Sequence, residues 1–382
     1  MRTAFTANQI VVEGGMIPDG YVIVEDGVII DIVSQRPSDC DVIHQYDGTI
    51  APGLIDIHVH GRVGCDVMDA THEALSRISR DLCKIGVTSW VATTVTDEIP
   101  NLKAALANVD AYIKVQPNQE ATILGSFLEG PFLNRAYRGA HPEQLLIEPQ
   151  KHLVDDILAA SGSTLKRVAI APELPYANEA IRRFRESGVK VAAAHTNANF
   201  SEMVTAYNLG VDCGVHLFNG MSPLHHREPG CAGAVLYLDM LAEIIADGIH
   251  VNEVVLNLAY RMKGYKKMAL VSDCMRAGGL SDGEYKLGSL DVVVKGGITK
   301  TQSGSLAGST CDLASSIKKM VTQANVPLWE AIQMATSVTA RYMDVFEVMG
   351  SISIGKIANL AIFDTNLDIV ETVMNGEIIV YD

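Results

Sequence analysis

The sequence predicts a (β/α)8 barrel, class α/β, joined to a small β-sandwich assembled from both chain ends. Three observations predict it. Eight short apolar runs alternate with helical patterns through the middle of the chain, both ends carry the texture of short strands, and polar side chains recur where the apolar runs stop. At 382 residues, 48% hydrophobic and 20% charged, the chain is long enough for one large domain and a smaller one.

Residues 1–51 contain "QIVVEGG", "GYVIVEDGVIIDIV" and "VIHQYDG", broken at Gly and Asp in the manner of short antiparallel strands. Residues 350–382 return to that style with "GKIANLAIFD" and "LDIVETVMNGEIIVYD". The two ends are therefore expected to form one β-sandwich domain, and residues 52–349 the barrel.

The eight barrel runs are "GLIDIHVH" (53–60), "VTSWVATT" (87–94), "TILGSFLEG" (122–130), "RVAIAPE" (167–173), "KVAAAHT" (190–196), "CGVHLFN" (213–219), "AEIIADGIH" (242–250) and "MALVSD" (268–273). Intervening stretches such as "THEALSRISRDLCKIG" and "NEAIRRFRESG" have the caps and final Gly of helices. The first run is unusual. Strand periodicity places Asp56, His58 and His60 on one face and Ile55, Ile57 and Val59 on the other.

Composition narrows the function. A net charge of −15 argues against nucleic acid and anionic membrane as partners. The start lacks a secretory signal pattern and no run of 18 apolar residues occurs, so a cytoplasmic location is expected. The seven cysteines include no Cys-x-x-Cys pair, which leaves buried free thiols rather than disulfides or a thiolate zinc site.

In a barrel the reactive groups gather at the carboxyl ends of the strands. The first run ends in His58 and His60, the third in Glu129, the fifth in His195, the sixth near His216, the seventh in His250 and the eighth in Asp273. Imidazoles with carboxylates suit a divalent ion such as zinc or iron. Hydrolysis is then the natural chemistry, because such an ion acidifies water and polarises a carbonyl oxygen.

These residues resemble the amidohydrolase superfamily: His-x-His after the first strand, an acid after a middle strand, histidines after the fifth and sixth, and Asp after the eighth. Within it, "LEGPF" (128–132), "RGAHPE" (138–143), "HLFNGMSPLHHREPG" (216–230), "IADGIHV" (245–251), "VSDCMRAGG" (271–279) and "GSLAGST" (304–310) resemble the N-acetylglucosamine-6-phosphate deacetylases over nearly the full chain. The resemblance implies metal-dependent hydrolysis of the acetamido group of N-acetyl-D-glucosamine 6-phosphate. It implies that Glu129, His195 and His216 hold one ion, that His58 and His60 with Asp273 complete a second site bridged by Glu129, and that one or two ions, Zn2+ or Fe2+, are bound per chain.

It further implies Asp273 as general base and then acid, and His141 as the group that polarises the carbonyl. Apart from the resemblance, His141 reads as a surface turn before Pro142. For the phosphate the resemblance implies Arg227 and His250, helped by Asn219 and the Gly220 amide, with Arg227 reaching into a neighbouring subunit of a homodimer; Leu306, Ala307 and Gly308 would close over the sugar. Relatives acting on the galactosamine epimer share "HVHG" and "HHREPG", so the epimer stays open. An amidohydrolase of another specificity should lack the Arg227 loop, and a non-catalytic scaffold should lack ligands or Asp273.

Overall fold

The computed structural model describes residues 1–380. Eight parallel strands follow one another in a single sheet: β1 (Leu54–Val59), β2 (Val87–Thr93), β3 (Thr122–Leu128), β4 (Leu165–Ile170), β5 (Lys190–Ala193), β6 (Val211–Gly214), β7 (Leu241–Ile244) and β8 (Met268–Leu270). The strands stop earlier than the apolar runs, so most of the polar residues ending those runs stand on the first loop residues beyond the ladder. The sheet closes on itself there: the Asp273 amide donates to the His58 carbonyl (3.0 Å) and the His60 amide to the Cys274 carbonyl (2.9 Å).

Helices return the chain between strands. His72–Lys84 starts where the Thr71 hydroxyl accepts from the Ala74 amide, and ends before Gly86 at φ 81°. Its Leu75, Ile78 and Leu82 pack in the layer between sheet and helices. The expected cap fails for Ala177–Glu186, which begins before Asn178, after Tyr176 in a left-handed conformation and with no side-chain cap.

The alternation expected of β1 holds only in part. His58 and His60 do converge, but Ile55 and Ile57 cluster with Val91, Phe127 and Ala169, while Val59 clusters with Leu75 and Trp90 instead. Pairing with β2 shifts register between Asp56 and Val59. The Asp56 carboxylate sits at that irregularity and accepts from the His58 amide (3.2 Å) and the Ser272 amide (3.3 Å).

The chain ends build one eight-stranded sheet. It is mixed rather than antiparallel throughout: Arg2–Val12 runs parallel to Val42–Pro52, whose other edge takes Leu360–Phe363 antiparallel. The hairpin Tyr21–Glu25 with Val28–Val33 supplies the return that this parallel pairing requires. Phe5, Ile10, Val22, Ile50, Leu360 and Val373 form its core. Val42–Pro52 passes through Gly53 straight into β1, and a Cβ there would lie 2.2 Å from Thr88 Oγ1.

A separate antiparallel sheet, Gly283–Leu287, Leu290–Lys295 and Ile298–Thr301, follows β8 and is not signalled by the alternation of runs. Its "LDVVVK" strand turns Val292 and Val294 inward and Asp291 and Val293 outward. With Leu287 they pack on Val95, Met275 and Ala307 beside the strand ends. Among the described residues no helix is long and apolar enough to cross a membrane.

Candidate active site

Five histidines, one glutamate and one aspartate meet at the carboxyl end of the barrel. Glu129, one residue beyond β3, lies between two groups. Its Oε2 faces His60 Nε2 (3.1 Å) and His58 Nε2 (3.5 Å), and its Oε1 faces His216 Nε2 (3.2 Å) and His195 Nε2 (3.5 Å). Asp273 Oδ1 reaches His60 Nε2 (3.1 Å) and His58 Nε2 (3.4 Å). All are buried, Glu129 to 2% exposure and His58 completely.

Backbone conformation delivers three of them. His195, His216 and Asp273 have φ of 43°, 33° and 50°. Non-glycine residues occupy that region at a cost of roughly 1–3 kcal/mol each. Here Asn134 donates to the His195 carbonyl (2.8 Å), Asn219 to that of His216 (2.9 Å) and Ser309 to that of Asp273 (2.8 Å). From these positions His195 and His216 meet Glu129, and Asp273 meets His58 and His60.

The donor set fits a divalent cation. His195 Nδ1 donates to the Tyr137 carbonyl (2.9 Å) and His216 Nδ1 to the Asn219 carbonyl (3.1 Å). A carbonyl only accepts, so both protons sit on Nδ1 and both Nε2 atoms present lone pairs. Those lone pairs face each other at 3.2 Å beside the Glu129 carboxylate. A shared cation reconciles them; apolar packing cannot. His58 Nε2 and His60 Nε2 likewise approach to 3.3 Å, and among the described residues buried His60 Nδ1 has no partner. His58, His60 and Asp273 form one ligand-spaced group and Glu129, His141 and His195 another. His216 belongs with the second by its distances to Glu129 and His195, so the site can hold one or two divalent ions.

Charge follows geometry. Burial alone would lower His58 and His60, yet Glu129 and Asp273 carry His60 up to about 9 and His58 well above the usual imidazole range. Burial would raise Asp273, but His58 and His60 bring it down to about 2. His141 is the opposite case. It is 5% exposed rather than on a surface turn, and burial with His195 nearby pushes it down to about 3. Its Nδ1 meets Thr96 Oγ1 (2.8 Å) and its Nε2 meets His195 Nε2 (3.2 Å).

A cleft of about 230 Å³ opens over this cluster. Asn219, Gly220, His250, Leu306 and Gly308 line it, with Val95, Ile245 and Leu287 as apolar wall. His250 Nδ1 pairs with Asp247 (2.7 Å), which, against burial, holds the imidazole above its ordinary range. Ala307 turns away into the apolar cluster under the inserted sheet. Arg227 is exposed, against His226 Nε2 (2.7 Å), and does not line the cleft. Larger concavities lie elsewhere, one of about 700 Å³ beside Arg77 and Glu377, but among the described residues the ligand-spaced groups lie at this cleft.

Sequence reasoning missed Thr96, Arg167 and Glu243. Thr96 lies two residues beyond the "VTSWVATT" run. Arg167 and Glu243 are charges inside apolar strand runs, the same anomaly that singled out His58.

Residues 49–379 match the family model described as amidohydrolase family. The chain is 40% identical to an N-acetylglucosamine-6-phosphate deacetylase of Vibrio furnissii, covering 93% of this chain and 89% of that one. It is 36% identical to an N-acetylgalactosamine-6-phosphate deacetylase of Escherichia coli O157:H7, covering 99% of each. The solved N-acetyl-D-glucosamine-6-phosphate deacetylase of Mycobacterium smegmatis, as a mutant in complex with N-acetyl-D-glucosamine-6-phosphate, superposes with a TM-score of 0.94 at 28% identity over 100% of both chains. With a family model spanning most of its length and the ligand geometry at its strand ends, the chain belongs to the amidohydrolase family.

Proposed function

We propose that the chain hydrolyses the acetamido group of N-acetyl-D-glucosamine 6-phosphate to glucosamine 6-phosphate and acetate. The observation that carries this reading is the cluster of imidazole Nε2 atoms converging on Glu129 in a cleft. Divalent ions held by Glu129, His195 and His216, and by His58, His60 and Asp273, would acidify water and polarise the amide carbonyl. Zinc and iron both accept this nitrogen and oxygen set.

The remaining roles fall to the protein. Asp273, on the cleft floor, takes the proton of the attacking water and returns it to the leaving nitrogen, which is a poor leaving group until protonated. His141, kept neutral by burial, accepts from Thr96 at Nδ1 and offers its Nε2–H to the carbonyl oxygen. His250, paired with Asp247, and Asn219 with the Gly220 amide meet the phosphate, while Leu306 and Gly308 cover the sugar.

Among the described residues no lysine or arginine lines the cleft, so a dianionic phosphate needs a cation from elsewhere. Exposed Arg227 supplies it from the partner subunit of a cytoplasmic homodimer. The domain division follows the same plan, with 52–349 catalytic and 1–51 with 350–382 supporting.

Acetate release from a panel of N-acetylhexosamine 6-phosphates, with metal added back, tests the proposal. Turnover of the glucosamine substrate and little of its non-phosphorylated analogue is expected; no acetate from any member overturns it. The full-length similarity to a galactosamine-specific relative makes the epimer the second reading, and the same panel separates the two.

A further inference from the structure

Beneath the ligand cluster, inside the barrel, lies an ion pair that the catalytic roles leave unused. Arg167 on β4 and Glu243 on β7 are both 0% exposed, and Arg167 Nη2 meets Glu243 Oε1. Taking two charges out of water is costly, and a buried pair often contributes no more stability than apolar side chains of the same volume. Arg167 Nε is even left without a partner. Stability alone does not account for the pair.

Its contacts point to a second role. Glu243 Oε2 lies 3.3 Å from His58 Nδ1, and Arg167 Nη1 donates to the carbonyl of Ile57, the residue before His58 (2.6 Å). The guanidinium is itself wedged 4.2 Å from the Phe127 ring centroid, and the same ring packs edge-on against His58. One arginine therefore fixes both the backbone leading into His58 and the carboxylate behind its ring. A carboxylate accepts only, so the His58 Nδ1 proton is held by Glu243 and Nε2, facing Glu129 and Asp273, is the nitrogen left to ligate a cation.

The other histidines are held differently. His195 and His216 rest on neutral backbone carbonyls, and among the described residues His60 Nδ1 has no partner. A carboxylate behind an imidazole makes it a stronger ligand than a carbonyl does. We infer that Glu243, clamped by Arg167, is a positioning residue that fixes the His58 tautomer and sets how tightly the His58–His60–Asp273 side holds its cation. The inference rests on the metal-dependent reading of the site.

The test follows zinc leaving the loaded, full-length protein for a chromogenic chelator. Glu243→Gln should release the more labile ion roughly 10- to 100-fold faster, as expected when a ligand's outer partner is lost, with the other ion unchanged. The rate should fall in kcat with KM for substrate little altered. Because Glu243→Gln leaves a buried guanidinium poorly paired and can unfold, the double variant Arg167→Met/Glu243→Leu is measured beside it. That variant removes both charges and should keep its thermal midpoint, yet still show fast zinc release. A folded double variant that releases zinc at the wild-type rate overturns the inference. The ion count of the wild type judges the two-ion reading separately. If only one ion is found and it lies on the His58–His60–Asp273 side, faster release in the variants still supports Glu243 and an unchanged rate overturns it; a single ion on the other side removes the premise and overturns the inference as well.

Discussion

Asp273 combines a strained backbone, a ligand-range carboxylate and a place on the cleft floor. Asp273→Asn keeps the shape but cannot take a proton, so turnover should fall about 100-fold or more; a metal-loaded variant with near-normal acetate release would refute the shuttle. His60 carries the pH dependence. Its folded value of about 9 lies above the ordinary histidine range. A group raised on folding contributes stability that is complete below its unfolded pKa and disappears as pH rises through the folded one. Chelator-stripped protein should therefore lose thermal stability between roughly pH 6.5 and 9, while zinc-loaded protein, whose ligand nitrogen has no proton to lose, should not. Midpoints that move in parallel for the two forms would contradict this. Most of the side chains that gather at the strand ends were legible in the sequence because a polar side chain ending an apolar run is costly to bury unless it meets a partner there. The depth of His141 was not, since only the tertiary approach of Thr96 and His195 buries it.

At the scale of elements, the barrel strands could be read in number and order, but not the register shift in β1. Nothing in "GLIDIHVH" says that the Asp56 side chain will take two amides that a regular ladder would have used. The inserted sheet was missed for a related reason: its strands are short, and one face is solvent-exposed. Its inward residues nevertheless bear on function, because Val292 and Val294 pack with Leu287, which lines the cleft, and with Ala307 behind it. Val292→Ala removes two buried methyl groups, about 1.5 kcal/mol of apolar burial. If that loosening is felt as poorer closure, KM should rise up to about tenfold with zinc content and barrel stability unchanged. An unaltered KM would assign this sheet no part in substrate retention.

For the whole molecule, the question is whether one chain is a complete enzyme. Arg227 stands in an exposed loop, so Arg227→Ala should raise KM for the phosphorylated sugar by roughly tenfold or more, as loss of a charge-assisted contact costs at least about 1.5 kcal/mol, and leave metal content alone. Mixing it with Asp273→Asn provides the sharper measurement. If Arg227 acts across subunits as proposed, a heterodimer would pair the intact Asp273 of one subunit with the intact Arg227 of the other and regain one working site. Verified subunit exchange without recovered activity would remove Arg227 from the partner's site.

The closure of the barrel has a further consequence. β1 and β8 are about as far apart in the chain as barrel strands can be, and they meet through a handful of amides, chiefly those of Asp273 and His60. The same two residues, with His58, bracket one of the proposed cations. An ion there would act as a clasp on the seam of the cylinder. Withdrawal of the ion should therefore let the seam breathe before any other joint, and amide hydrogen exchange at Asp273 and His60 should quicken while that in β3 to β6 stays slow. The enzyme would then lose its shape from the catalytic end first.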